Sequence, residues 1–529
     1  MSRKILSILL ILAVAISLIT YHFYEFLHIV SSNPSKMWSR DLTIGEKSLN
    51  KSSYLFYDNN KVYAVWTNEK GFTVSQIKND GTFFEKTITI NDFKETDVSD
   101  IQYYNSKLYW LENGTIRYIN IDGKEYTNSN IKARSYRISG KYIISSGNNS
   151  LTIYDIKGKN INKMYSIANN VEFSNLEVTL YNNNIFIAGL YDDKEYYKIY
   201  FLNYDIDKND FLTNIELYKM TQSNNSSIYN LKIAHDNGVY IFYDLTSKIG
   251  ANAYYFYFNP KNIKLIEPIK VELPVYGNMN SSNVGPFDIT ENPENKTLMA
   301  VFSSEALYKE VAKQTKEATE IIYGIFKDGK INSINYVSKT GSWASEPTVL
   351  YTNEGFYVSW IEAGGFYKYI VKVASTNLEF IKSIQKIRTS DIEKALSISA
   401  VSNSAAILLG LILIFSGSIP SYAWFIFIML FEPRKLKNES IISFYIGAFI
   451  YAAAKYIFYP PKAIRYNLST VPFPYNSILI PIAFTLLSFM IVKLYFGGKK
   501  FSSNFGAFTF MVVIDAIFTN LFYAPYLMG

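Results

Sequence analysis

The sequence predicts a seven-bladed β-propeller joined to membrane helices, a mainly β chain with membrane α added at both ends. Three observations in its 529 residues predict this. A unit of strand, tight turn and strand recurs seven times between residues 45 and 388. An uncharged run from Ile5 to Tyr24 follows Arg3 and Lys4. A series of apolar runs fills the stretch after Leu396. The expected organisation is an N-terminal transmembrane anchor over 1–30, an extracytoplasmic propeller over 45–388, and a region over 391–529 with about four transmembrane helices.

The fullest unit is "TVLYTNEGFYVSWIEAGGFYKYIVKVAST", residues 348–376. Val349, Tyr351, Phe356, Val358 and Trp360 supply the apolar and aromatic positions. Gly364 and Gly365 mark a turn, after which Tyr367, Tyr369, Val371 and Val373 alternate with other residues. Period-two alternation bounded by Asn and Gly is the signature of half-buried strands. Earlier copies start at Tyr54, Ile101, Tyr136, Val178, Leu231 and Phe287. A weaker outer strand such as "EKTITI" (85–90) brings each unit to four strands, and the spacing is near that of propeller blades, ~40–50 residues. Seven units close a ring and so protect their sheet edges. Six or eight blades, or a pair of β-sandwiches, are the competing readings.

The sixth unit, 287–331, carries the insertion "SEALYKEVAKQTKEATE" (304–320). Leu307, Val311 and Ala318 recur near helical spacing, and Glu305 and Lys309 stand four apart. The segment therefore reads as a projecting helix or as a solvated excursion of a long loop.

Composition narrows the function classes. Apolar residues make up 49% and the net charge is +7. Nine Lys/Arg against three Asp/Glu follow Leu396, so nearly all the excess charge sits beside apolar segments. The nearly neutral middle lacks the electrostatic footprint of a nucleic-acid binder. There is no cysteine, which excludes disulfides and thiolate metal sites. His22, His28 and His235 are the only histidines, too few for most histidine metal sites or a Ser-His-Asp triad. No cofactor motif is present. Acidic pairs such as Asp192–Asp193 are at most weak calcium ligands.

The first run, about 20 residues, is long enough to span a bilayer. The only Ala-x-Ala in the N-terminal region, at Ala13 and Ala15, lies inside the run rather than after it, so an uncleaved anchor is expected rather than a cleaved signal. Downstream, Ser390 and Glu393 form a capping-box pattern ahead of the apolar stretch 395–420. Further runs cover 421–431, 441–459, 477–496 and 505–527. Residues 396–431 are one broken crossing or a short hairpin. One crossing puts Arg434, Lys435, Lys437, Lys493, Lys499 and Lys500 inside and only Lys462 and Arg465 outside, which the positive-inside rule prefers.

The blade pattern resembles the repeats of sialidase-like extracytoplasmic propellers, at the level of single blades. That family carries an Asp box, Ser-x-Asp-x-Gly-x-Thr-Trp. The nearest match is "SGNNSLTI" (146–153), with Asn148, Ser150 and Ile153 at the Asp, Gly and Trp positions, and it falls in a different turn. The resemblance also implies three arginines from separate blades to clamp a carboxylate. Here the domain offers Arg117, Arg134, Arg137 and Arg388, three of them in adjacent blades two and three.

Asp515, in "VVIDAIF", falls near the middle of the last run, where a carboxylate is costly and usually paired or functional. Lys455 is its candidate counter-ion, with Asn520 and Thr519 four to five residues beyond it. The set reads as a proton- or ion-linked intramembrane site or as a polar lock between helices. Gly447, Ala448 and Ala452 favour close helix contact. The 45 tyrosines suit strands, and exposed ones could stack on sugars. Trp66, Trp110, Trp343 and Trp360 read as core or blade-interface residues.

The leading functional expectation is a membrane-anchored binding, scaffold or sensor propeller at the cell envelope, with the lipid bilayer, a protein or an envelope glycan as partner. The alternatives are a subunit of a transport or export complex built around Asp515, and a glycan-acting hydrolase. Acidic residues and Tyr converging on the propeller axis would favour the hydrolase. A dry, packed Asp515 would count against transport.

Overall fold

The computed structural model describes residues 2–524, apart from 125, 158–159, 169–171, 194, 224, 249, 264–265, 277–278, 282, 312–313, 366–367, 433–440, 459–476, 478 and 498–502. The chain forms two compact units. One comprises residues 33–308 and 317–386; the other comprises 1–32, 309–316 and 387–529.

The first unit is a seven-bladed β-propeller. Seven four-stranded antiparallel sheets follow one another along the chain. Their innermost strands are Tyr54–Asp58, Val98–Tyr104, Ser135–Ser139, Phe173–Tyr181, Ser226–His235, Val284–Asn292 and Ala344–Thr352, in blades 1 to 7. Each packs against the next, and the seventh against the first. Blade 7 takes its outer strand from the start of the domain: Leu42–Lys47 pairs with the last strand, Lys368–Ser375. The chain thus enters and leaves the ring through the same blade. Ser39 ties this seam further, donating its backbone N–H to Ser375 O at 2.9 Å.

Turn chemistry explains the asparagine content. Two-residue hairpin turns of the kind that match strand twist need positive φ at both central residues. Asn59 and Asn60, Asn105 and Ser106, Asn113 and Gly114, Asn148 and Asn149, and Asn182 and Asn183 supply such pairs. The apolar residues released by these turns pack between successive blades. Phe56 of blade 1 stacks on Tyr103 of blade 2 at 4.0 Å, and Phe242 of blade 5 meets Phe326 of blade 6 edge-on at 5.2 Å. Trp66, Trp110 and Trp360 are fully buried, as expected. Trp343 is not: it is 37% exposed, beside Tyr369. It lies on the turn into blade 7, ahead of the strand, and so escapes the core.

The insertion in blade 6 is not a helix. Its residues extend the central hairpin, whose strands run Thr297–Val311 and Gln314–Lys327. The strand ladder of the blade continues outward and overrides the helix propensity of Ala, Lys and Glu.

A helix of 29 residues, α1 (Arg3–Ser31), opens the second unit; a short helix, α2 (Leu378–Ile384), closes the propeller, capped by Asn377, whose side chain accepts from the N–H groups of Glu379 and Phe380. The second unit continues with α3 (Thr389–Phe431), α4 (Ile442–Phe458), α5 (Leu479–Phe496) and α6 (Asn504–Phe522). Helix α3 runs unbroken through 396–431 with Pro420 inside it, so the hairpin alternative is excluded. Its cap differs from the expected Ser390–Glu393 box. The helix starts two residues earlier, and Asp391 accepts the backbone N–H of Arg388 at 2.8 Å.

Among the described residues, α1, α5 and α6 are each long and apolar enough to cross a membrane, and shorter apolar segments lie in α3 and α4. Helix α6 is the hub: it packs on α1, α3, α4 and α5. The loop charges used for topology (Arg434, Lys435, Lys437, Lys462, Arg465, Lys499 and Lys500) lie outside the described residues.

Candidate functional site: a polar seam around the propeller axis

The innermost strands of all seven blades enclose an axial cavity of about 530 Å³. Charged side chains from five successive blades project into it and pair in alternation. Arg137 of blade 3 donates to Asp100 of blade 2 and to Glu177 of blade 4, each at 2.7 Å. Lys232 of blade 5 reaches back to Glu177 at 3.6 Å and forward to Asp288 of blade 6 at 3.0 Å.

The ring closes with neutral groups. Asp288 accepts the N–H of Val349 in blade 7 at 2.9 Å. Ser359 of blade 7 and Ser53, just ahead of the first strand of blade 1, share a hydrogen bond at 2.6 Å. Tyr103 of blade 2 donates its N–H to the hydroxyl of Tyr54 in blade 1 at 3.3 Å. Every blade junction is therefore stitched by a polar contact near the axis.

Burial and pairing shape the electrostatics. Desolvation raises the Glu177 carboxyl, but Arg137 and Lys232 outweigh it and hold the group below its ordinary range. Desolvation lowers Lys232, and Asp288 and Glu177 outweigh that, so its net shift is upward. Both directions describe an ionised, mutually compensated network.

β-Bulges position several of these groups. The inner-strand register slips between Ser99 and Gln102, Tyr229 and Lys232, Val284 and Phe287, and Ser345 and Thr348. The inserted residues Asp100, Asn230, Gly285 and Glu346 hold φ of 52°, 53°, 139° and 53°. A bulge re-aims a side chain out of the strand's alternation. It delivers Asp100 and Glu346 to the cavity wall. In blade 5 it turns Asn230 toward Asp244, whose carboxylate accepts the Asn230 amide at 3.0 Å. Burial raises Asp244 well above its ordinary value.

The residues singled out from the sequence lie in the helical unit, where Asp515 and Lys455 do meet. Lys455 Nζ lies 2.7 and 2.8 Å from the two Asp515 oxygens. Tyr451 donates to Asp515 Oδ2 at 2.6 Å and Thr485 to Oδ1 at 3.1 Å. Lys455 also reaches Pro481 O at 3.0 Å and Thr519 Oγ1 at 2.8 Å. Helices α4, α5 and α6 are thus tied by one buried cluster, and Asp515 is 0% exposed. Thr519 supplies the contact from the turn after Asp515; Asn520 beside it is also buried.

The Asp192–Asp193 pair is used within its own loop. Asp193 accepts the N–H groups of Glu195 and Tyr196 at 2.7 and 2.6 Å, and Asp192 accepts the Gln222 amide. Among the described residues, no group of three or more His, Asp or Glu gathers as a metal site.

The propeller is similar in fold to solved structures of low sequence identity. The WD40 domain of Toxoplasma gondii coronin matches at 9% identity and TM-score 0.39, over 68% of this chain and 88% of that one. The N-terminal domain of Nup159 matches at 9% identity and TM-score 0.35, over 65% and 97%. The extracellular domain of a hybrid two-component system from B. thetaiotaomicron matches at 11% identity and TM-score 0.36, over 62% of this chain and 39% of that chain. No protein-family model matches the sequence. No curated protein matches it either.

The axial charges escape a reading of the sequence because each looks like an ordinary polar position in an alternating strand. One signal was available. Asp100, Glu177 and Asp288 each stand four residues before the end of their inner strands, at Tyr104, Tyr181 and Asn292. Aligning the repeats on their turns would have stacked them. Arg137 and Lys232 fall at other offsets, from the strand ends at Ser139 and His235.

Proposed function

We propose that this chain is a membrane-anchored, extracytoplasmic propeller that binds a protein or envelope ligand, as a scaffold or sensor, with both ends of the propeller leading into apolar helices. The observation that carries this reading is the polar seam. Acidic residues and a tyrosine do converge on the axis, the arrangement that would favour a hydrolase. Yet Asp100, Glu177 and Asp288 are engaged by Arg137 and Lys232, so they behave as blade-to-blade ties rather than as a free acid and base. The single arginine in the cavity wall, Arg137, is held between two carboxylates, which argues against a sialidase-type carboxylate clamp.

Membrane anchoring draws support from the exposed apolar side chains of the helical unit. Ile5, Leu6, Ile8, Leu9, Leu12 and Ile16 on α1 are at least 46% exposed, as are Leu479, Leu486 and Met490 on α5 and Phe449 on α4. Such surface suits lipid contact. At 43 residues, α3 is about 65 Å long at 1.5 Å per residue, some twice the bilayer core, so part of it lies outside the hydrocarbon. The transport reading is weakened by Asp515: both its oxygens are engaged and it is fully buried.

The test is cross-linking and affinity capture of the full chain from detergent-solubilised membranes, with protease protection in intact cells. Expected are a membrane-pellet location, cleavage of the propeller from the outer side, and a captured partner or ligand lost when the propeller is disrupted. A soluble chain, or a propeller protected from external protease, would overturn the anchoring or its sidedness.

A further inference from the structure

We propose that the axial cavity is a binding site for a small ligand carrying a protonated amine, with Glu346 as its anchor. The proposal rests on the binding reading above and adds the site and the ligand class. Four carboxylates line the cavity, those of Asp100, Glu177, Asp288 and Glu346, and three cations, Lys51, Arg137 and Lys232. The seam pairs the first three acids. Glu346 stands apart: among the described residues it makes no hydrogen bond and no ion pair. Lys47, the cation that acts on it electrostatically, has its ammonium engaged by the carbonyl oxygens of Lys51 and Ser52. Lys51 donates to the carbonyl of Val98 at 2.9 Å.

The backbone at Glu346 is strained in order to present this group. A glutamate at φ 53°, directly before Pro347, is a conformation that most residues avoid. The same bulge in blade 2 presents Asp100, which Arg137 neutralises. In blade 7 it presents a carboxylate that nothing in the cavity neutralises by contact. Burial pushes the Glu346 carboxyl upward, with Lys47 only partly opposing. A ligand ammonium would supply the missing charge.

The other open valences are also mostly acceptors. Asp100 Oδ2 and Glu177 Oε2 have no partner among the described residues, so hydroxyl or further N–H donors of a ligand would find acceptors there. An anionic ligand would have to displace an existing pair. A metal cation would lack the gathered oxygen set that hard cations require. A volume of about 530 Å³ accommodates a ligand of hexosamine size. Leu55, Ile101 and Ile289 offer apolar wall for its carbon skeleton.

The experiment is calorimetric titration of the full chain in detergent with glucosamine and ethanolamine, and with N-acetylglucosamine, which keeps the ring and removes the charge. Expected is binding of an amine with at least about tenfold weaker binding of the N-acetyl compound. Glu346→Gln should abolish amine binding without lowering thermal stability, because it removes a buried charge that Lys47 compensates only in part. Glu346→Asp, which withdraws the carboxylate, should weaken it. Absence of binding by both amines, equal binding of the N-acetyl compound, or unchanged binding in Glu346→Gln would overturn the proposal. A captured protein partner alongside such a result would leave the scaffold reading standing and remove only this one.

Discussion

Arg137→Met should destabilise the propeller more than any other single change at the axis. The guanidinium joins three consecutive blades through the two shortest ion pairs of the seam, contacting Asp100 and Glu177 at 2.7 Å each, whereas Lys232 reaches Glu177 and Asp288 at 3.6 and 3.0 Å. Removing one partner of a buried pair costs about 3–5 kcal/mol, because the other charge is left uncompensated. Two features bring the expected value to the lower end. Asp100 keeps 25% of its side chain exposed, so water screens part of its charge. Lys232 remains 3.6 Å from Glu177 and still compensates it in part. The expected loss is about 3 kcal/mol. It is read from denaturant unfolding of the detergent-solubilised chain, followed by fluorescence of the buried Trp66, Trp110 and Trp360.

The pH dependence fixes the cause. The Glu177 carboxyl is held below its unfolded value, so its ionised form contributes stability above the unfolded pKa, and that contribution is lost as pH falls through the lower folded pKa. Without Arg137 this depression shrinks, and the gap between variant and native protein should narrow in acid. The triple variant Arg137→Met, Asp100→Asn, Glu177→Gln should recover to within about 1 kcal/mol of native, since no charge is stranded. A single-variant loss below about 1 kcal/mol, or a triple variant no better than the single, would refute the seam as a structural tie.

Three further outcomes are expected. Gly45→Ala should cost about 1–3 kcal/mol, because a Cβ at Gly45 would lie 2.4 Å from Trp66 Cζ2 and force the closing strand off the ring; thermal melting measures it, and an unchanged midpoint would count against tight closure. Glu362, in the closing blade, has its carboxyl raised to about 7, by burial first and against the pull of Lys372. A raised acid favours the fold when protonated, so its contribution is full below the unfolded value and fades as pH rises toward 7; Glu362→Gln should stabilise the protein by on the order of 2 kcal/mol at pH 8 and by little at pH 4, measured by unfolding at the two pH values. Asp515→Asn strands Lys455 among buried groups and should lower the melting temperature of the helical unit, whereas Lys455→Met with Asp515→Leu should restore most of it; an Asp515→Asn protein that melts as native would remove the lock.

What the sequence made legible was whatever depends on neighbours along the chain. Asn59 and Asn60 announce a hairpin because positive φ is a local requirement, and alternating Val, Tyr and Trp announce the strands beside it. Asp515 and Lys455 stood out because a charge inside an apolar run is rare enough to imply a partner, and opposite signs made each the other's candidate. Their hydroxyl neighbours Tyr451, Thr485 and Thr519 did not stand out, because such residues are common in any helix. The axial seam was hidden for a different reason. Its members come from five blades, and the bulges at Asp100, Asn230, Gly285 and Glu346 shift the inner strands out of common register, so the cations Arg137 and Lys232 reach the axis from offsets different from the one that Asp100, Glu177 and Asp288 share.

The insertion 304–320 failed in the opposite sense. Its local composition favours helix, but the hairpin of blade 6 already presents two paired strands, and continuing a formed ladder adds one hydrogen-bonded pair at a time, whereas a new helix must first meet its nucleation cost. The same principle bears on Glu346. A residue that local preference would never place at φ 53° before a proline is held there by the sheet on both sides, and such enforced conformations concentrate where a ligand is handled. Misfit between residue and backbone therefore points to the cavity wall of blade 7, where sequence pattern alone pointed to nothing.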